Sequence, residues 1–157
     1  MYRAKKNEKD VLYILENLRL EDLHEAQAIY GRNFKQKILD SIMQTDFYVL
    51  LGKTKDKDIP VCAGGIWESP TDKNIGICWL MSTDKVKYHI KTLLKELKKE
   101  IIKADKKFAL TCNFIWKENK QAKRWLKTMG YKFNNPYPLG INVPNGFEFF
   151  YRIRNST

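Results

Sequence analysis

No stretch of this 157-residue chain approaches the roughly 18–20 consecutive apolar residues that a membrane helix needs. Cysteine is scarce and unpaired in pattern. Cys62, Cys78 and Cys112 form no Cys-x-x-Cys motif, and each sits in an apolar, strand-like run. That argues against a disulfide or zinc framework and for buried thiols in a reducing compartment. There is no Walker loop, zincin histidine pair, triad spacing or RNA-recognition aromatic motif. Repeats, low-complexity tracts and linkers are also missing. The opening Met1-Tyr2-Arg3-Ala4-Lys5-Lys6 leads into Asn7-Glu8-Lys9-Asp10 and not into an apolar signal core. The expectation is a cytoplasmic protein, or one packaged where it is made.

The composition is that of a folded domain. An apolar fraction of 43% and an aromatic fraction of 13% are too high for disorder, and the length suits one domain, residues 1–157, with a full core. The net charge of +11 favours anionic partners such as a phosphorylated cofactor or an acidic surface. Much of it comes from Lys87, Lys91, Lys95, Lys98 and Lys99 on the solvent face of one predicted helix. No exposed aromatics accompany those lysines at a readable spacing, so nucleic acid ranks last among the partners.

Periodicity divides the chain as follows. Tyr2 to Lys5 reads as a short strand. Asn7 suits a helix cap, with Asp10 in the first turn and Val11, Leu12, Leu15 and Leu18 as the apolar stripe. Leu20, Leu23, Ala26, Gln27 and Tyr30 continue as a second helix ended by Gly31. Asn33 is placed to cap a further piece through Phe34, Ile38 and Ile42. Phe47–Leu51, Val61–Trp67 and Ile75–Met81 read as an antiparallel meander, in which Gly64-Gly65 suggests a bulge or a close backbone approach. Val86, Ile90, Leu93, Leu94, Leu97, Ile101 and Ile102 define the longest helix, with Asp84 beside Thr83 as its cap. Strand Phe108–Trp116 and helix Asn119–Met129 follow. Tyr131–Phe133 starts another strand, residues 134–145 with Pro136, Pro138 and Pro144 form a rigid loop, and Phe147–Ile153 closes the chain. The helical crossover makes the fourth and fifth strands parallel.

The segment Asn113 to Tyr131 says most about identity. Asn119 caps a basic helix, Ala122, Trp125, Leu126 and Met129 make its buried stripe, and Gly130 stops it. With the element order, this resembles the last helix of the GNAT N-acetyltransferase superfamily. The resemblance implies an α/β, three-layer GNAT-like fold, with a mixed twisted sheet of about seven strands and helices on both faces. A narrower likeness is to GNAT-like proteins of tailed phages, a group that includes the internal virion protein A of podoviruses. It rests on Trp79-Leu80-Met81-Ser82-Thr83-Asp84, Asn113-Phe114, Arg124-Trp125-Leu126-Lys127, the Pro136-to-Gly140 loop and Asn145 to Arg152.

The resemblance implies acetyl-CoA as cofactor and an amine as acceptor, or, in the phage group, contacts with other phage or host proteins. It assigns the cofactor to Leu80, Met81 and Ser82 at the end of the fourth strand, and to Lys85, Val86, Lys87, Tyr88 and His89 where the long helix begins. Asn113 and Asn119 complete the set. The superfamily's pyrophosphate loop carries glycines where this chain has Tyr88 and Ile90. Its usual tyrosine acid falls on Leu126, which cannot donate a proton, leaving Tyr131, Tyr88 or water. Glu68, at the end of the third strand, is the nearest carboxylate by topology for a base. His24 is expected on a solvated helix face, and Trp67, Trp79, Trp116 and Trp125 in the core or lining a pocket.

Overall fold

A computed structural model describes residues 1–133 and 142–154. The protein is a mixed α/β structure with a twisted six-stranded sheet in the order β1-β2-β3-β4-β5-β6, flanked by helices. Its strands are β1 (Tyr2–Ala4), β2 (Tyr48–Gly52), β3 (Ile59–Glu68), β4 (Ile75–Ser82), β5 (Leu110–Trp116) and β6 (Phe147–Ile153). Its helices are α1 (Glu8–Glu16), α2 (Leu20–Tyr30), α3 (Phe34–Met43), α4 (Ile90–Lys107) and α5 (Lys120–Thr128). Among the described residues, the further strand expected at Tyr131–Phe133 is a single bridge from Lys132 to Tyr151. The loop expected over 134–145 lies mostly outside the described residues. The chain divides into two units, Met1–Gly65 with Trp79–Lys95, and Ile66–Cys78 with Glu96–Thr157.

In the first unit β2 pairs antiparallel with both β1 and β3. The register of β2 on β3 slips between Leu50 and Leu51, where Leu51 meets Pro60, a residue with no N–H to give to the ladder. The irregularity is therefore not at Gly64-Gly65. Those glycines allow close approach instead: a Cβ on Gly64 would stand 2.6 Å from the Tyr48 hydroxyl, and one on Gly65 2.9 Å from the Asp46 carbonyl. Val11, Ile14 and Leu15 of α1, Ile38, Leu39 and Ile42 of α3, and Val49, Leu50, Val61 and Cys62 of the sheet form the core. Asn7 caps α1 as expected, its side chain accepting from the Asp10 N–H at 2.9 Å. Asn33 holds the cap position of α3 without a side-chain bond. In α2 the apolar stripe fails at its first residue, because Leu20 is 66% exposed while Asp22 is buried.

In the second unit the start of β4 runs parallel to β5, pairing Ile75, Gly76 and Ile77 with Leu110, Thr111 and Cys112. β5 is antiparallel to β6 along the whole of both strands. Asn119 caps α5, accepting from the Ala122 N–H at 3.3 Å, Trp125 and Met129 are buried, and Gly130 ends the turn at φ 86°. A bidentate Arg152–Asp105 pair ties β6 to the end of α4.

Candidate functional site

β4 ends at Ser82, and the polar groups of that residue are already engaged. Asp22 Oδ2 accepts from the Ser82 N–H and from its hydroxyl, each at 2.8 Å. The Ser82 carbonyl accepts from the Arg19 N–H at 3.0 Å, and Arg19 Nη2 donates to Asp22 Oδ1 at 2.7 Å. Arg19, Asp22 and Ser82 are 4%, 6% and 0% exposed. The ion pair is thus removed from water, and both carboxylate oxygens of Asp22 are hydrogen-bonded, which offsets the cost of burying it. Thr83 turns its N–H the other way, onto the Val61 carbonyl of β3 at 2.9 Å. Met81 is buried and Leu80 half-buried. Ser82, expected to meet a cofactor, therefore meets Asp22 instead.

Past Ser82 the chain makes a 3₁₀ turn over Asp84–Tyr88 with Thr83, not Asp84, in the cap position. The long helix consequently starts at Ile90, four residues later than the apolar spacing from Val86 suggests. Val86 N–H bonds Thr83 O and His89 N–H bonds Val86 O, the i→i+3 pattern that tightens a turn. Helical bonding starts with Leu93 N–H on His89 O at 2.9 Å, so the amides before it have no helical acceptor and concentrate positive potential. The first turn of α4 holds no acid, and Lys85, Lys87 and Lys91 are exposed around it. Val86 is buried at 1% exposure and serves packing. Tyr88, where the resemblance expects a glycine, is 70% exposed, with Lys87 Nζ 5.1 Å from its ring centre. His89 lies over Gly52, whose Cβ, if it had one, would be 2.9 Å from His89 Nε2. Burial, then the N-terminal amine, lowers the His89 pKa, so the imidazole is neutral at pH 7 and adds no charge.

The second unit holds the remaining expected residues. Beyond the three-pair ladder of β4 and β5, Asn113 Nδ2 donates to the Cys78 carbonyl at 2.8 Å and its Oδ1 accepts from the Phe114 N–H at 2.7 Å. A side-chain amide thus takes over where the backbone ladder stops. Asn119 is 1% exposed and spends its oxygen on the α5 cap. Tyr131 is 6% exposed and its hydroxyl sits 3.0 Å from Thr111 Oγ1, level with Gly76 in the ladder. Burial, then the nearby Cys78, raises its pKa, so it keeps its proton inside the closed part of the sheet. Burial also lifts the thiols, Cys78 to about 12 and Cys112 to about 11.

Glu68, the candidate base, ends β3, where the Ser69 N–H bonds Ile75 O at 2.9 Å, and it lies 3.4 Å from Lys107, so its charge is already balanced by a lysine. His24 is exposed on α2, as its sequence neighbours suggest. Trp125 is core, Trp79 lies 6.1 Å from the Phe47 ring, and Trp116 meets Phe147 edge-on at 5.5 Å. Arg19 and Asp22 are absent from the sequence-derived candidates. Their spacing in a helix's first turn is visible in the chain, but not that it is turned inward.

Neither family models nor curated proteins give a match to the sequence. Solved structures do. An acetyltransferase of the GNAT family from Staphylococcus aureus superposes with a TM-score of 0.67 at 15% identity, over 98% of this chain and 99% of that one. The fold is that of GNAT acetyltransferases. YncA from Salmonella typhimurium, solved with its cofactor acetyl-CoA, shares this GNAT fold at TM-score 0.62 and 12% identity, covering 100% of this chain and 95% of its own. An aminoglycoside 6'-acetyltransferase type Ii matches at TM-score 0.62 and 12% identity, over 100% and 99% of the two chains.

Proposed function

We propose that this chain is a single GNAT-type domain that binds acetyl-CoA and transfers its acetyl group to an amine. The observation that carries this reading is the entrance to α4: first-turn amides that lack an acceptor within the helix, exposed Lys85, Lys87 and Lys91, and no acid in the first turn. Such an end suits a phosphate-bearing ligand. Leu80 and Met81 would hold the pantetheine arm and Lys85 and Lys87 the phosphates, with Tyr88 contributing backbone, while His89 gives its own N–H to Val86. Ser82, Val86, Asn113 and Asn119 are given no direct part, because their polar groups or surfaces are already used.

Acetyl-CoA, when bound, supplies an activated thioester. The protein's part is to place it and polarise its carbonyl with a backbone N–H, for which Leu80 is the candidate. With Glu68 paired to Lys107, Tyr131 buried and Leu126 apolar, we assign no side chain among the described residues as acid or base. The amine enters already deprotonated, and water takes and returns the proton. Activity then rises with pH until the acceptor's own amine titrates. Calorimetry with acetyl-CoA, followed by acetylation of a panel of primary amines, tests the reading. No heat at sub-millimolar ligand contradicts it.

A second reading is an inactive GNAT-fold protein that works by contact, of the phage type that the Trp79–Asp84 and Arg124–Lys127 segments resemble. The lack of an assigned acid or base supports it. It would reside in the cytoplasm of a bacterial host or inside a virion. Binding of CoA without turnover on any amine, with recovery of the protein from purified particles, favours this reading over the first.

A further inference from the structure

We infer that Asp22 is a positioning residue that closes the outer edge of β4 at Ser82 and thereby makes Leu80 the backbone group that meets the ligand. This rests on the acyl-CoA reading above. In a strand, peptide N–H and C=O groups of alternate residues point to opposite edges. Thr83 gives its N–H to Val61 of β3, so Ser82, Leu80 and Cys78 direct theirs to the edge away from β3. At one end of that edge the Cys78 carbonyl is taken by Asn113. At the other, Asp22 Oδ2 covers the Ser82 N–H and the Arg19 N–H covers its carbonyl. The Leu18–Thr83 bridge continues this cover. Between these two stops stands Leu80.

The arrangement acts as a register device. A ligand that hydrogen-bonds along β4 meets a donor and an acceptor at Leu80 and is refused at Ser82, where a second donor would let it slide by two residues. The buried carboxylate suits this task because it occupies both the N–H and the hydroxyl of Ser82, leaving neither for a competitor. Arg19 holds that carboxylate in place from its other oxygen.

The test is ¹⁵N amide NMR during titration with CoA, alongside steady-state kinetics. In the wild-type protein the Leu80 amide should shift and the Ser82 amide should stay, with Ser82 protected from hydrogen exchange. In Asp22→Asn the Ser82 amide should lose protection by about tenfold or more and begin to shift with CoA, and the KM for acetyl-CoA should rise more than kcat falls. Ser82→Ala keeps the N–H bond to Asp22 and should behave as wild type at Leu80, which separates register from general damage. Equal CoA shifts at Leu80 and Ser82 in the wild type, or unchanged Ser82 protection in Asp22→Asn, overturn the inference while leaving CoA binding intact. If no amide responds to CoA, the acyl-CoA reading fails and the positioning role with it. Exchange at Ser82 in the free protein then still shows whether the clamp exists.

Discussion

Replacing Asp22 with alanine should destabilise the protein by about 3–5 kcal/mol, the usual cost of removing one partner of a buried ion pair. Three contributions set that figure. The Arg19 guanidinium, 4% exposed, loses the Asp22 carboxylate that it meets at 2.7 Å. The Ser82 N–H and hydroxyl, both bonded to Asp22 at 2.8 Å, lose their acceptor, and unsatisfied buried donors cost about 1–3 kcal/mol each. Local relaxation and entering water return part of this, which keeps the total below the sum. For a chain of this size the loss corresponds to a fall in Tm of roughly 6–20 °C. Thermal and urea unfolding of Asp22→Ala, Arg19→Met and the double variant measure it. Removing Arg19 as well relieves the stranded charge, so the double variant should be more stable than the sum of the single effects predicts, by about 2 kcal/mol. Additivity within about 0.5 kcal/mol, or a Tm loss below about 2 °C for Asp22→Ala, would refute the buried-clamp account.

Gly146→Ala should cost about 2–4 kcal/mol, read by urea unfolding, since its φ is 80° and a Cβ would lie 2.4 Å from the Trp116 ring, combining backbone strain with overpacking. Tyr131→Phe should lose about 1 kcal/mol with the Thr111 bond and leave turnover unchanged; a large fall in kcat would restore Tyr131 as an acid. Lys85→Ala and Lys87→Ala should each weaken CoA binding several-fold in calorimetry, less so at high salt. The thiols of Cys78 and Cys112, raised to about 12 and about 11, stay protonated in the fold while they ionise in the unfolded chain near pH 9. Their stabilisation is therefore complete below that pH and is lost as pH rises through the folded values, on the order of 1 kcal/mol per thiol by pH 10. Chevron or melting data between pH 8 and pH 11 check the sign.

Much of the fold is written in local patterns. The Asn119 cap, the Trp125–Met129 stripe and the Gly130 stop lie within one helix, so periodicity and capping chemistry reveal them together. The parallel pairing of β4 with β5 follows from a helical crossover, which needs no knowledge of side-chain contacts. The start of α4 was less legible. Val86 fits the apolar spacing of the helix, yet it is buried from a 3₁₀ turn, and hydrophobic spacing over one turn does not distinguish the two. Tyr131–Phe133 has strand-like residues, but among the described residues it makes one bridge, from Lys132 to Tyr151.

The site was harder to read than the fold. Glu68 is a candidate by topology alone, and in the fold it meets Lys107, a pairing that no local pattern encodes. Asp22 carries the ordinary sign of a helix first turn, an acid near the N-terminus, which normally means exposure. Its burial depends on Ser82, sixty residues away in the chain, and no local pattern encodes that pairing. Leu80 shows the same limit. Its importance comes from which neighbouring peptide groups are already bonded, a property of the assembled edge and not of leucine.

The most direct test of the central claim is isothermal titration calorimetry of the full chain with acetyl-CoA. The account predicts saturable binding at one site per chain with a Kd below about 100 μM, equivalent to about 5.5 kcal/mol, weakened by Lys85→Ala and by added salt. The absence of heat at ligand concentrations approaching a millimolar would contradict it.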